Sequence, residues 1–145
     1  MAKYQFAAFI LMILLVSPSS ATQNSTPAYS PDTGDKAFDE SLQRISKKFE
    51  KTSPAKISRF SEKLSEAFQI PQHSVEELFD IYEFTAADVL LSVSIADVSG
   101  EPLKSAAGLY FNNKKQGWKA VLKQLKIYKG SKVYEQIKKD ITEMQ

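Results

Sequence analysis

TAADVLLSVSIADVSG, residues 85–100, is the stretch from which the fold is read. Ala86, Ala87, Val89, Leu90, Leu91, Val93, Ile95, Ala96 and Val98 leave only Asp88, Ser92, Ser94 and Asp97 as polar interruptions. A helix apolar on nearly all sides is one with neighbours on all sides. Leu91 to Ile95 also alternates like a strand, and a short apolar run is not decided by its period alone. The ends decide it. Thr85 is a good N-cap, Asp88 suits the positive helix start, and Gly100 suits the left-handed residue that closes a helix. The run is too short to span a bilayer. The sequence therefore predicts a buried central helix over 86–99, with Leu90 and Val93 in the core.

Working outward, the flanking segments carry single apolar stripes. Phe38, Leu42, Ile45 and Phe49 lie at helical spacing after Asp35, and Ile57, Phe60, Leu64, Ala67 and Phe68 follow a Ser53-Pro54 start. The short connection at Thr52-Ser53 predicts a helical hairpin over 35–70. Ser74 and Glu77 match a capping box ahead of Leu78, Phe79 and Tyr82. Beyond Gly100, Pro102 opens a helix that Asn112-Asn113 breaks. Gly117 precedes another, carrying Trp118, Val121, Leu122 and Leu125, with Trp118 and Leu122 as core residues. Gly130-Ser131 caps a last helix bearing Val133, Tyr134, Ile137, Ile141 and Met144. The expected fold is all-α: an irregular or orthogonal bundle of about six to seven short helices around 86–99. It forms one domain over 35–145, the hairpin at 35–70 adjoining a helical core at 74–145.

Residues 1–21 read as a cleavable secretory signal. Lys3 precedes an apolar run from Phe6 to Val16, and Ser19-Ser20-Ala21 supplies small residues for cleavage before Thr22. The run is about half the length of a spanning helix, so no membrane anchor is expected after cleavage. Residues 22–34, TQNSTPAYSPDTG, are predicted to form a flexible polar leader, and Asn24-Ser25-Thr26 is a glycosylation sequon should the source be eukaryotic. The chain has no cysteine. An exported domain without disulfides stands on its apolar core alone. The expected location is periplasmic or extracellular.

The net charge of +2 hides two opposed blocks. Between Lys63 and Lys104 there is no Lys or Arg, but Glu66, Glu76, Glu77, Asp80, Glu83, Asp88 and Asp97 fall there, with Glu101. From Pro102 to Tyr134 there is no acid, and Lys104, Lys114, Lys115, Lys119, Lys123, Lys126, Lys129 and Lys132 fall there. Charge segregated in this way steers partners in a salt-dependent manner. Lys114, Lys115, Lys119, Lys123, Lys126 and Lys129 form the candidate binding surface, toward an anionic envelope surface or an acidic protein. Glu76, Asp80 and Glu83 form a candidate acidic surface on one face of a short helix. They lack a neighbouring histidine and the loop spacing of a calcium site, so no metal is assigned to them.

No catalytic residue or cofactor is assigned. Without cysteine there is no thiol nucleophile. The single histidine, His73, lies in an expected loop between Pro71 and Ser74. Neither a nucleophile elbow nor a phosphate-cradling glycine loop is present. A helix-turn-helix reading of the Trp-bearing basic helix conflicts with export, so no nucleic-acid partner is expected.

Ser99-Gly100, then Gly117-Trp118-x-x-Val121-x-x-x-Leu125-x-Ile127, then Gly130-Ser131 resembles a pattern in small exported bacterial helical proteins of unknown function. The resemblance implies export and a helical fold, and carries no activity. The expectation is an exported, non-enzymatic helical binding or accessory protein of the envelope. Its alternatives are a membrane-surface-active basic helical protein, a small inhibitor or immunity-type protein, and, last, a hydrolase.

Overall fold

The structure, a computed structural model, describes residues 28–145. The expected signal segment 1–21, the sequon at 24–26 and the start of the expected leader lie outside the described residues. The fold among those residues is all-α. The helices are α1 (Lys36–Phe49), α2 (Pro54–Phe68), α3 (Gln72–Asp80), α4 (Ala86–Ser99), α5 (Leu103–Asn113), α6 (Gly117–Gln124) and α7 (Lys132–Glu143), with a 3₁₀ turn over Lys114–Gln116. None of the described helices is long and apolar enough to cross a membrane.

The α4 helix is the axis. Every residue from Ala86 to Ile95 is buried, and α4 packs against α1, α2, α3, α5 and α7. Its ends match the caps expected from sequence. Thr85 Oγ1 accepts from the Asp88 N–H at 3.2 Å, the Thr85 N–H donates to the Asp88 carboxylate at 3.2 Å, and Gly100 closes the helix at φ 72°. The serines that gave the run its strand-like alternation are satisfied within a helical bundle. Ser92 Oγ donates to the Asp88 carbonyl at 2.7 Å, and Ser94 Oγ donates to Asp140 on α7 at 2.9 Å. A buried hydroxyl with a partner avoids the desolvation cost of an orphan.

Several local expectations are corrected. The hairpin over 35–70 does not form as a packed pair. The α1 and α2 helices meet near their connection, where Phe49 and Phe60 lie 4.5 Å apart, while α1 packs mainly on α4 and α7 and α2 on α3 and α4. The α1 stripe turns to the central helix and to α7, while α2 turns to the helix that follows it, α3, and to α4. The Ser74 cap is displaced because α3 begins at Gln72, after Pro71, which places His73 in a helix rather than a loop. The α5 helix runs through Asn112 and Asn113, and the chain turns at Lys114–Gln116 instead.

The largest correction concerns the expected flexible leader. Its described part, residues 28–34, is docked on the domain. Pro31 and Thr33 are buried, and Tyr29 is half-buried. The α6 helix has no side-chain N-cap. Its first N–H groups are orphans, and this segment supplies their acceptors: the Trp118 N–H donates to the Pro31 carbonyl and the Lys119 N–H to the Asp32 carbonyl, both at 2.8 Å. The approach is close enough to require glycine at position 117. A Cβ there would sit 2.6 Å from Asp32 Cβ and 2.9 Å from the Pro31 carbonyl oxygen, and the residue has φ 68°.

Gly117→Ala is accordingly expected to destabilise the domain by about 2–4 kcal/mol in denaturant unfolding, combining left-handed strain with displacement of the 31–32 segment. Gly100→Ala, at φ 72° with nothing within 4 Å, is expected to cost only about 1 kcal/mol. Equal losses in the two variants would show that the 31–32 segment is not held against α6.

Candidate functional site

The lysine-rich side of the molecule is built around α6, and α6 is held from its buried side. Trp118 is fully buried and stacks on Tyr110, with centroids 4.0 Å apart and planes 6° from parallel. Its Nε1–H donates to Asp88 Oδ1 at 2.8 Å. The Tyr29 hydroxyl donates to the same oxygen at 2.7 Å, and the Thr85 hydroxyl donates to Asp88 Oδ2 at 2.9 Å. Asp88 is buried and makes no ion pair among the described residues. Its charge is met by hydrogen-bond donors from three places in the chain. Val121 and Leu122 are buried beside Trp118, so Lys119 and Lys123, one turn apart, are left facing solvent.

The six expected lysines divide by their surroundings. Lys115, Lys119, Lys123 and Lys126 are exposed and make no ion pair among the described residues. Lys114 is engaged: its Nζ donates to the Tyr82 carbonyl at 3.1 Å and lies 5.2 and 5.3 Å from the Phe84 and Phe111 ring centroids. Lys129 lies 3.5 Å from Asp35 and keeps an exposed side chain. Lys132, the first residue of α7, adds another exposed cation. Between Lys126 and Lys129 stands Tyr128, which is 60% exposed. The sequence reading passed over this aromatic because it belongs to no helical stripe.

Asp35 is a second buried acid that ties distant parts together. As N-cap of α1 it accepts from the Phe38 N–H at 3.4 Å, and it accepts from Lys138 Nζ and the Tyr134 hydroxyl of α7, both at 3.3 Å. Burial pushes its pKa up, but the Lys138 hydrogen bond, the Phe38 N–H and the charges of Lys138 and Lys129 outweigh burial and hold it below the usual carboxylate value. The phenol of Tyr29 moves the other way. Burial, the Asp88 charge and the hydrogen bond to Asp88 raise its pKa well above the ordinary 10.0.

The acidic surface does not form as expected. The α3 helix ends at Asp80, and Glu83 lies beyond it at φ 52°, so the three acids do not share one helical face. Glu76 accepts from Gln72 at 2.8 Å and Ser58 at 3.3 Å. Neighbouring Glu77 pairs with Lys104 at 3.1 Å, joining the two charge blocks across the fold. No group of metal-ligating side chains comes together among the described residues.

An open groove of about 1110 Å³ lies between α1, the docked segment at Ala28 and Tyr29, and the connection from α3 to α4. Phe49, Ile57, Phe79 and Phe84 line its apolar side, with Lys47 and Glu50 at its rim. Sequence spacing assigns Phe49 and Phe79 to helix stripes and leaves Phe84 unassigned, and spacing alone does not reveal which side chains of separate elements line one groove. Comparison of the chain with protein-family models, curated proteins and solved structures gives no match.

Asp35 and the Tyr29 phenol set the pH behaviour. A lowered folded-state pKa at Asp35 contributes stability above the unfolded carboxylate range, and that contribution is lost as pH falls through the folded value. Asp35→Asn is expected to flatten stability against pH on the acid side. At Tyr29 the raised value contributes stability that is full below pH 10.0 and is lost as pH rises past it. Tyr29→Phe is expected to cost about 1–3 kcal/mol at neutral pH and to make the alkaline loss shallower. Denaturant melts across pH for the two variants check both signs, and a slope unchanged from the parent would overturn either assignment.

Proposed function

We propose that this chain is an exported, non-enzymatic binding protein of the cell envelope, located in the periplasm or outside the cell, that docks through the lysine side of α6 onto an anionic surface. The observation that carries this reading is the set Lys115, Lys119, Lys123 and Lys126, exposed and without ion pairs among the described residues while Lys104 and Lys129 are paired. A solvated face that only aids solubility gains from mixed signs. Every charged side chain from Lys114 to Lys132 is a lysine, while Asp32 stands against the start of α6 and Asp35 meets Lys129 beyond its end. Lys119 and Lys123 stand on a helix whose inner side is locked by Trp118, and Lys115 and Lys126 flank it on the turns at its two ends, so the four approach a surface together rather than as mobile tails. Export rests on the Lys3, Phe6–Val16 and Ala21 pattern.

A second reading is favoured by the groove between α1 and the connection from α3 to α4. Its apolar side suits the hydrophobic part of a small amphipathic ligand or of a partner's side chain. This corresponds to the inhibitor-type alternative, with the protein surface around Phe49 and Phe79 as the contact.

Two variants of equal charge loss separate the first reading from a general effect of basic charge. Lys115, Lys119, Lys123 and Lys126→Gln is expected to lower retention on anionic vesicles and polyglutamate beads by about several hundredfold, at about 1 kcal/mol per lysine near an anionic surface. Lys36, Lys47, Lys51 and Lys63→Gln is expected to retain most of the binding, and all binding is expected to weaken with salt. Equal effects in the two variants would overturn the assignment of this face. Export is checked on the same material: the intact mass of protein expressed from the full chain should begin at Thr22, and retention of Met1 in the mature pool would overturn it.

A further inference from the structure

The surface between the end of α6 and the start of α7 holds more than charge. The run Lys123, Lys126, Lys129 and Lys132 brackets Tyr128 within ten residues, KQLKIYKGSK. The chain here is fixed. Ile127 is buried, and its N–H donates to the Leu122 carbonyl at 2.8 Å, closing α6, while the Ser131 N–H donates to the Tyr128 carbonyl at 2.9 Å and Ser131 caps α7. Tyr128 is therefore held outward on a turn pinned at both sides, and its side chain has no aromatic or hydrogen-bonding partner among the described residues. The other described tyrosines have partners: Tyr29 and Tyr134 bond to buried acids, Tyr110 stacks on Trp118, and half-buried Tyr82 packs on Phe84 and Phe111. The ring is 60% exposed, so its apolar faces meet water while its hydroxyl is hydrated, and in sequence it lies among four lysines.

We infer that the anionic surface is a lipid bilayer, and that Tyr128 enters its headgroup layer while the flanking lysines hold the lipid phosphates. This rests on the lysine-face reading and names its partner. A phenol has an apolar ring and a polar tip, which is the chemistry of side chains that settle at the membrane–water boundary. Basic residues around such a ring add attraction to anionic headgroups. A soluble polyanion would use the same lysines but offers the ring no apolar layer to enter. The geometry is one of surface docking. Because Val121, Leu122 and Ile127 are already buried in the core, α6 itself does not turn its apolar side to lipid.

The test uses protein recovered after expression of the full chain with its own N-terminus. It is sedimented with phosphatidylglycerol-containing vesicles, with phosphatidylcholine vesicles and with polyglutamate beads. Tyr128→Ala is expected to lower binding to the anionic vesicles about fivefold, leaving binding to polyglutamate and the salt dependence unchanged. Tyr128→Trp is expected to show a blue-shifted emission on anionic vesicles, against an invariant background from the buried Trp118. The exposure of the position keeps both variants folded, which thermal melts verify. Salt-dependent vesicle binding with an unshifted reporter and an unaffected Tyr128→Ala would overturn ring insertion and leave the lysine-face reading intact. Binding to polyglutamate but not to vesicles would overturn the bilayer as partner, again without touching that reading. Binding to neither would overturn both.

Discussion

A carboxylate buried without a cation is the constraint on which this fold turns. Asp88 sits one turn into the central helix, where an isolated charge costs several kcal/mol to desolvate. The chain meets that cost with donors rather than with a lysine. Thr85 supplies a hydroxyl and an N–H locally, Trp118 supplies an indole N–H from α6, and Tyr29 supplies a phenol from the N-terminal segment. Hydrogen bonds to a charged acceptor are worth more than neutral ones, about 1.5–3 kcal/mol. The acid that caps α4 is thus also the anchor for the aromatic that fixes α6 and for the segment that caps it.

That double duty explains what the sequence disclosed and what it did not. The central helix was legible because its evidence is local: an apolar run with Thr85, Asp88 and Gly100 at fixed offsets. Trp118, Leu90, Val93 and Leu122 were legible as core for the same reason. Residues 28–34 were misjudged because their composition is that of a leader, and their order comes from partners about sixty and ninety residues away, at Asp88 and Trp118. Composition reports whether a segment can bury apolar area, not whether a distant helix lacks acceptors. The helical hairpin failed on similar grounds. A short connection limits where α2 begins but does not choose between α1 and α4 as the surface it packs on. Of the candidate site, the lysines were visible as a block. Their division into engaged and free members depended on Asp35, Glu77 and the Tyr82 carbonyl, which only the fold brings near.

The segregation of charge takes a definite form once folded. The blocks touch where Lys104 meets Glu77, and Asp35 draws in Lys129 from the turn before α7 and Lys138 from α7. These contacts do different work. The Lys104 pair is solvent-exposed and contributes little to stability. The Asp35 cluster is buried at the start of α1 and joins both ends of the described chain. What remains around α6 is an excess of positive charge on a rigid base. A rigid base matters for weak, multivalent contact, because cations that are already placed lose less freedom on docking than cations on a mobile tail.

The ends of the helices show where charge and conformational cost trade against each other. Lys51, Gln69, Glu83 and Lys126 all follow helices in the left-handed region, at φ 56°, 53°, 52° and 57°, where glycine is the usual residue. A non-glycine residue there costs about 1–2 kcal/mol. For Lys126 and Lys51 a cation beside the negative end of a helix returns about 0.3–1 kcal/mol, so part of that strain is offset. Glu83 stands at the same kind of position after α3 with the opposite sign, so the helix dipole does not account for it. Electrostatics local to the helix therefore explains the lysines only in part, and at Lys126 the remaining strain holds a cation outward beside Tyr128, on the turn that joins α6 to α7.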